Sequence, residues 1–262
     1  STFEKRDMDL DQILEILVSL KDQFRQFLKK QPSVQNYLRS RGVSFEIEDQ
    51  FCLGYSPSSF DLVSMYKERG FSERVLEKAG VLFRATNGQL YSRFQNRLIF
   101  PVIDYRGRTV GFGGRVLDKE SKGAKYVNSE ETVVFNKRKL LYGLHAASSS
   151  IKRSGSVLLV EGYLDVLMAH QYGFTNTVGT MGTALSHEHG QKLSRFTKTA
   201  YFGFDQDEAG KKACEQMLGF VKRYGIELKF FNYQGIDVKD VGDMTVDEIN
   251  RGISTAKDRV WG

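Results

Sequence analysis

Acidic residues gather at three places in the second half of this 262-residue chain. Asp205 and Asp207 stand one residue apart in FGFDQDEAGKKA, with Glu208 beside them. Glu161 precedes Asp165 by one helical turn in LLVEGYLDVLMA, and Asp237 and Asp240 lie in GIDVKDVGDM. In a strand-like D-x-D, alternate side chains share a face, so both carboxylates can address one point. Carboxylates packed together repel and are costly without compensation. A divalent cation removes that cost. Magnesium prefers oxygen ligands, usually one or two carboxylates completed by substrate phosphates. The competing explanation for the four residues from Asp205 is an aspartate helix cap followed by acids in the first turn. Glu161 taken alone could be a buried acid held by a backbone donor. Two clusters at equivalent strand ends shift the balance towards metal.

Those equivalent ends follow from the elements that must carry the acids. From residue 156 the chain alternates: SVLLVEG reads as a strand, 163–172 as a helix, TNTVGT as a short strand, and 186–195 as a helix. TAYFGF, helix 208–224 and strand IELKFFN continue the pattern. This is the rhythm of a parallel α/β sheet, whose ligands sit at the carboxyl ends of the strands. Glu161 and the Asp205/Asp207 pair both fall there. Upstream, Leu10, Ile13, Leu14, Leu17, Leu20, Phe24, Phe27 and Leu28 recur at helical spacing over 10–30. Pro32 opens a second helix with Tyr37 and Leu38 inward and Gly42 as its stop. Short helices are expected over 59–69 and 72–79. Residues 97–117 read as two strands around a turn at Arg106 and Gly107. Pro101 cannot donate to a ladder, which places its strand at an edge. Gly111, Gly113 and Gly114 point to close approach by another group.

Charge divides the chain. Residues 1–155 hold 26 Lys and Arg against 18 Asp and Glu, a net of +8, whereas 156–262 hold 12 against 14. The stretch 84–139 alone carries 12 basic and 5 acidic residues. A basic half joined to a half with clustered acids fits a polyanion on one side and metal on the other, although a solvated basic surface has the same balance. The composition, 40% hydrophobic and 27% charged, is that of a globular protein. No apolar run approaches the ~18 residues of a membrane span, and the first residues lack the apolar stretch of a signal peptide. Two distant cysteines, Cys52 and Cys214, fit a reducing cytoplasm better than a zinc ribbon or disulfide framework. No GxxxxGK[ST] loop, complete GxGxxG or GxSxG elbow is present. His145, His170, His187 and His189 lack a metalloprotease spacing and read as surface or satisfied histidines.

LLVEGYLDVLMAHQYG, VGTMGTALSHEH and FGFDQDEAGKKA resemble the Toprim signature, a Glu after one strand and D-x-D after a later one. Upstream, YLRSRGVSFEIEDQFCLGYSP, RFQNRLIFPVIDYRGRTVGFGGRVL and AKYVNSEETVVFNKRKLLYGL resemble the catalytic core of bacterial DnaG-type primases, in order and at family-like spacing from about residue 33 to about 245. The resemblance implies an α/β fold: a mixed, basic N-terminal subdomain over 1–150, a Toprim-type parallel sheet with flanking helices over 151–242, and the start of a helical segment over 243–262. It implies a nucleotidyltransferase that makes short RNA primers from nucleoside triphosphates on single-stranded DNA, as a cytoplasmic monomer using Mg2+ or Mn2+. Glu161, Asp165, Asp205, Asp207 and Asp237 would be the metal-side acids. Arg41, Arg115, Lys125, Asn128 and Lys137 would face the active cleft, with Lys125 and Lys137 catalytic beside Glu161, Asp205 and Asp207.

Two departures qualify this. The family's last acidic motif is D-P-D; here Asp237 is followed by Val238, Lys239 and Asp240, so the second position is either Asp240 or Lys239. The family's zinc module and its helicase-binding domain are absent, so the chain reads as an excised core that would meet the replicative helicase through a domain absent here. Bland alternatives exist for each cation. Arg41 could cap the second helix, Arg115 could pair with a local acid, and Lys125 and Lys137 could be solvated. Tyr126 and Phe135 read as core. The rival functions are a Toprim nuclease or strand-transferase, and a single-strand DNA-binding module inactive without the missing domains.

Overall fold

The computed structural model describes residues 2–204, 207–208, 212, 215–216, 223–238 and 240–258. The chain divides into two compact units, Ser1–Asn136 and Lys137–Gly262.

The first unit opens with α1 (Thr2–Lys29), α2 (Pro32–Ser40) and α3 (Phe45–Gln50), followed by β1 (Gly54–Ser56), α4 (Leu62–Glu68) and α5 (Glu73–Lys78). Strands β2 (Leu82–Arg84) and β3 (Leu90–Ser92) pair as a hairpin, and β4 (Arg97–Ile103), β5 (Thr109–Val116) and β6 (Tyr126–Asn128) complete the unit. The helical stripe of α1 is buried as its spacing requires: Ile13, Ile16, Leu17, Leu20, Phe24 and Leu28 are at most 1% exposed. Phe24 meets the ring of Phe112 edge-on at 5.3 Å, which seats α1 on the antiparallel sheet β1-β4-β5-β6. Asp61 and Ser72 cap α4 and α5, each accepting an N–H from the third helical residue.

Two sequence readings change here. β4 lies inside the sheet, between β1 and β5, not at its edge. Pro101 is tolerated because it faces Phe112, whose own N–H and carbonyl are both directed to Ser129 on the far side. The missing proline donor therefore falls on the β1 side, where β1 pairs only with residues 97–99. The close approach at Gly111 is internal: a Cβ there would collide with the buried ring of Phe135. Helix α3 and strand β1 were not resolved by periodicity, being too short for a hydrophobic pattern to register.

The second unit contains α6 (Leu144–Ser154), β7 (Ser156–Val160), α7 (Tyr163–Gln171), β8 (Thr177–Gly179), α8 (His187–Leu193), β9 (Thr199–Phe202), β10 (Glu227–Phe230), a 3-10 turn (Val241–Asp243) and α9 (Val246–Ser254). Its sheet has the order β10-β9-β7-β8, with every pair parallel. Residues 208, 212, 215–216 and 223–224 are helical, within the helix expected over 208–224. The division at 136/137 differs from the boundary at 150/151 drawn from sequence. That boundary falls inside α6, whose Leu144, Ala147 and Ile151 pack with Val157, Leu159 and Val178 of the parallel sheet. No helix among the described residues is long and apolar enough to cross a membrane.

Candidate functional site

The parallel sheet reverses its strand order around β7: β8 lies on one side, and the chain then returns to place β9 on the other. Crevices at the carboxyl ends of strands at such a switch point are where ligands bind in open α/β sheets. Glu161, half-buried, follows β7 directly at this point. The loop after β8 is laid across the same strand end, with the Thr180 N–H donating to Val160 O at 3.1 Å and the Met181 N–H to Glu161 O at 3.0 Å. To make that crossing Met181 adopts φ 59°, in the left-handed region that non-glycine residues rarely occupy. A cavity of about 350 Å³ opens here, lined by Glu161, Thr180, Gly182, Thr183, Ala184, Phe204, Lys212 and Gln216.

Asp205 lies outside the described residues, as does Lys239. Asp207 is half-buried, Asp237 exposed and Asp240 half-buried. Asp165 is committed to the backbone: its Oδ2 accepts the Gly162 N–H at 3.1 Å and its Oδ1 the Gly242 N–H at 2.8 Å. Among the described residues, no three of His, Cys, Asp and Glu gather tightly enough to hold a cation. Glu161 nevertheless offers the cavity a carboxylate oxygen, the donor type a hard ion takes. The Thr180 hydroxyl, fully buried on the cavity wall, has no hydrogen-bond partner among the described residues, so an oxygen acceptor is left over beside Glu161.

The basic residues of the first unit group around β5 and β6. Arg115 stands opposite Tyr126 in the ladder, and Gly113 stands opposite Asn128. Arg115 donates through Nη1 to the Tyr37 hydroxyl, and its guanidinium lies 4.9 Å from the Tyr37 ring centre and 5.8 Å from that of Tyr126. The local partner of Arg115 is thus aromatic rather than acidic, which fixes the cation without neutralising it. Tyr126 is 38% exposed, contrary to its expected place in the core, because its ring covers Arg115. Phe135 is fully buried, as expected. Arg41 is the exposed C-cap residue of α2, one turn beyond Tyr37. Lys125 is exposed, Asn128 half-buried, and Lys137, in the second unit, half-buried.

Several supporting residues escaped the sequence reading. Arg97, 9% exposed, donates to Gly114 O at 3.3 Å and Lys125 O at 3.2 Å, while Arg93 donates to Asn128 O at 3.0 Å. Together they tie β6, with Lys125 before it and Asn128 at its end, to the sheet. Burial, and secondarily the charge of Arg93, lowers the pKa of Arg97. The one sequence signal was their place among alternating core residues in RFQNRLIF. His170 and His189 are buried and bonded to backbone carbonyls; burial lowers the pKa of both.

Residues 23–148 match the family described as DNA primase catalytic core, N-terminal domain, and residues 158–245 match the Toprim-like family. The chain is 45% identical over 183 residues to a DNA primase of Legionella pneumophila, covering 70% of this chain and 31% of that protein. It is similar to the crystal structure of the Aquifex aeolicus primase zinc-binding and RNA polymerase domains, with a TM-score of 0.85, 34% identity, and 95% and 62% coverage of the two chains. A structure of the DnaG primase catalytic domain bound to ssDNA matches with a TM-score of 0.82 and 32% identity, covering 95% of this chain and 80% of that one. The chain spans about a third of the length of the first curated relatives it matches. The match upstream of the Toprim-like segment disfavours a free-standing nuclease or strand-transferase.

Proposed function

We propose that this chain, which belongs to the family of DnaG-type DNA primase catalytic cores, builds short RNA primers on a single-stranded DNA template. The observation that carries the reading is Glu161 at the switch point of the parallel sheet, opening onto a cavity with a buried threonine hydroxyl that has no partner among the described residues.

Primer extension is phosphoryl transfer. A 3′-hydroxyl attacks the α-phosphate of a nucleoside triphosphate, its proton leaves to solvent or base, and pyrophosphate departs. Positioning and charge stabilisation carry most of the catalysis. Mg2+ or Mn2+ would supply Lewis acidity and neutralise developing charge on the phosphoryl oxygens. Glu161, Asp205 and Asp207 would hold it, with Asp237 and Asp240 completing the acidic set. Asp165 serves that set by fixing the turn that follows Asp240. Lys137 and Lys125 are suited to phosphate as point charges. Arg115, held between two aromatic rings, presents a fixed guanidinium suited to bidentate phosphate contact. Arg41 and Asn128 share the template with it. Backbone contacts of this kind are sequence-independent and dominate single-strand binding. The growing RNA primer is the product, and the replicative helicase is a partner. The core acts as a monomer in the cytoplasm.

The test is incorporation of labelled ribonucleotide on single-stranded template with magnesium or manganese, with Glu161→Gln as control. Metal-dependent, template-dependent product from the wild type and none from the variant supports the reading. Cleavage of the template without incorporation, or equal incorporation by both proteins, overturns it.

A further inference from the structure

Lys137, Arg138 and Lys139 form a turn of three successive cations at the start of the second unit. Its backbone is held by side chains from the first turn of α8. His189 Nε2 lies 2.7 Å from Lys137 O and 2.9 Å from Leu140 O. The Ser186 hydroxyl donates to Arg138 O. Three of the four carbonyls over 137–140 therefore end on two residues.

The ring's other nitrogen fixes its protonation. His189 Nδ1 accepts the Ser186 N–H at 3.1 Å, so it carries no proton. Nε2 must then carry one, and it is shared between the two carbonyls. The Ser186 hydroxyl in turn accepts the His189 N–H at 3.1 Å, which closes a reciprocal cap. His189 is 0% exposed, and burial draws its pKa down to about 4, which keeps the ring neutral near pH 7. A rigid ring with an acceptor on one edge and a donor on the other spans helix cap and basic turn at once. Arg138 is further tied to Glu188, on the same helical turn, at 3.5 Å.

The same short stretch of chain reaches the acidic cavity. Thr180, Gly182, Thr183 and Ala184 line it beside Glu161, and Ser186 follows two residues later. One segment thus touches the acid's cavity at one end and grips the basic turn at the other. A lysine is a point charge on a flexible stem, so where its ammonium can reach depends on how firmly its backbone is fixed. We propose that Ser186 and His189 are positioning residues for phosphoryl transfer, holding the 137–139 turn in register with the Glu161 cavity so that the Lys137 ammonium meets the triphosphate of the incoming nucleotide. This rests on the function proposed above.

The test is a double-mutant cycle in the full chain between His189→Leu and Lys137→Ala, with His189→Gln and Ser186→Ala alongside. Primer synthesis at saturating nucleotide, affinity for GTP with Mn2+, affinity for single-stranded DNA and melting temperature are each measured. His189→Leu is expected to lower synthesis about tenfold or more, since small misplacements of a catalytic group are costly, with DNA affinity unchanged. In the Lys137→Ala background the same change is expected to cost less than about twofold, because coupled residues are non-additive. His189→Gln, which keeps a donor, recovers part of the loss. Should His189→Leu fail to fold, Ser186→Ala, which leaves the bonds of the His189 ring to Lys137 O and Leu140 O in place, carries the cycle instead. An equal loss in both backgrounds, or a folded His189→Leu protein with wild-type synthesis, overturns the proposal. A wild-type chain that makes no primer removes the function proposed above. The same cycle read in GTP affinity then decides the positioning role on its own: non-additive losses sustain it and additive losses remove it.

Discussion

Asp165 accepts the backbone N–H of Gly242 at 2.8 Å, across 77 residues of chain. Its second oxygen takes the Gly162 N–H at the start of α7. One carboxylate thus ties a helix start beside Glu161 to the 3-10 turn that follows Asp240. Only glycine fits at 242, since a Cβ there would stand 2.6 Å from Asp165 Oδ1.

Asp165→Asn keeps one acceptor and turns an amide NH2 towards the other N–H. Leaving a partly buried donor unsatisfied costs about 1–3 kcal/mol, and that loss is expected in denaturant unfolding of the variant. Gly242→Ala should be destabilising for the steric reason. Wild-type stability in Asp165→Asn would show that the two donors find other partners.

Glu161→Gln separates a metal ligand from a structural acid. The amide keeps the shape and one acceptor oxygen but not the charge. Primer synthesis is expected to fall by about 100-fold or more, the scale of losing a group that stabilises transition-state charge. Melting temperature without metal should hold or rise, because a source of like-charge repulsion is gone. Asp205→Asn is expected to behave in the same way. Asn and Asp cap helices about equally well, so a cap alone would leave synthesis intact.

Much of this was legible because the signals are local. The strand–helix alternation from Ser156 gave the parallel sheet, and buried apolar runs such as SVLLV fixed where its strands end. Glu161 could be placed from that alone. What escaped depends on contacts distant in sequence. Nothing near Asp165 shows that Gly242 will reach it, and nothing in SHEH shows that His189 will grip carbonyls about 50 residues upstream. Pro101 misled because edge or interior is a property of each ladder position. β4 is interior as a strand, yet unpaired on the β1 side at that residue. Tyr126 misled because an aromatic in a strand can cover a cation as readily as enter a core.

The logarithm of single-stranded DNA affinity should fall linearly with log salt, with a slope of about −0.7 per phosphate neutralised. Arg115→Ala is expected to make the slope shallower by about 0.7 if the guanidinium meets one phosphate. Tyr37→Phe removes the hydroxyl acceptor but keeps the ring over Arg115. It should therefore preserve the slope and weaken binding less than Arg115→Ala. A slope unaltered by Arg115→Ala would place the template elsewhere.

Acid should destabilise the protein in two separate windows, and His189 governs the upper one. Its folded-state pKa is about 4 against an ordinary value of 6.5, because burial disfavours the charged ring. Between those values the unfolded chain binds the proton more readily than the folded one, so stability rises with pH there. The contribution is fully present above about pH 6.5 and is lost as pH falls through about 4. It amounts to roughly 3 kcal/mol at 1.36 kcal/mol per unit. His170, its pKa also lowered by burial, acts in the same direction. Asp9 acts only below: Arg74 and Lys78 hold its carboxyl well under the usual range, so its contribution persists until stronger acid. Protonating His189 would put an N–H against the Ser186 N–H and break the cap. Urea unfolding at about pH 5 and about pH 7.5 measures the slope. His189→Gln, which cannot titrate, should lose the larger part of the stability difference between those two conditions while remaining folded at the higher pH. An equal difference in both proteins would mean that the ring is accessible to protons in the folded state, and the buried, neutral His189 described above would be wrong.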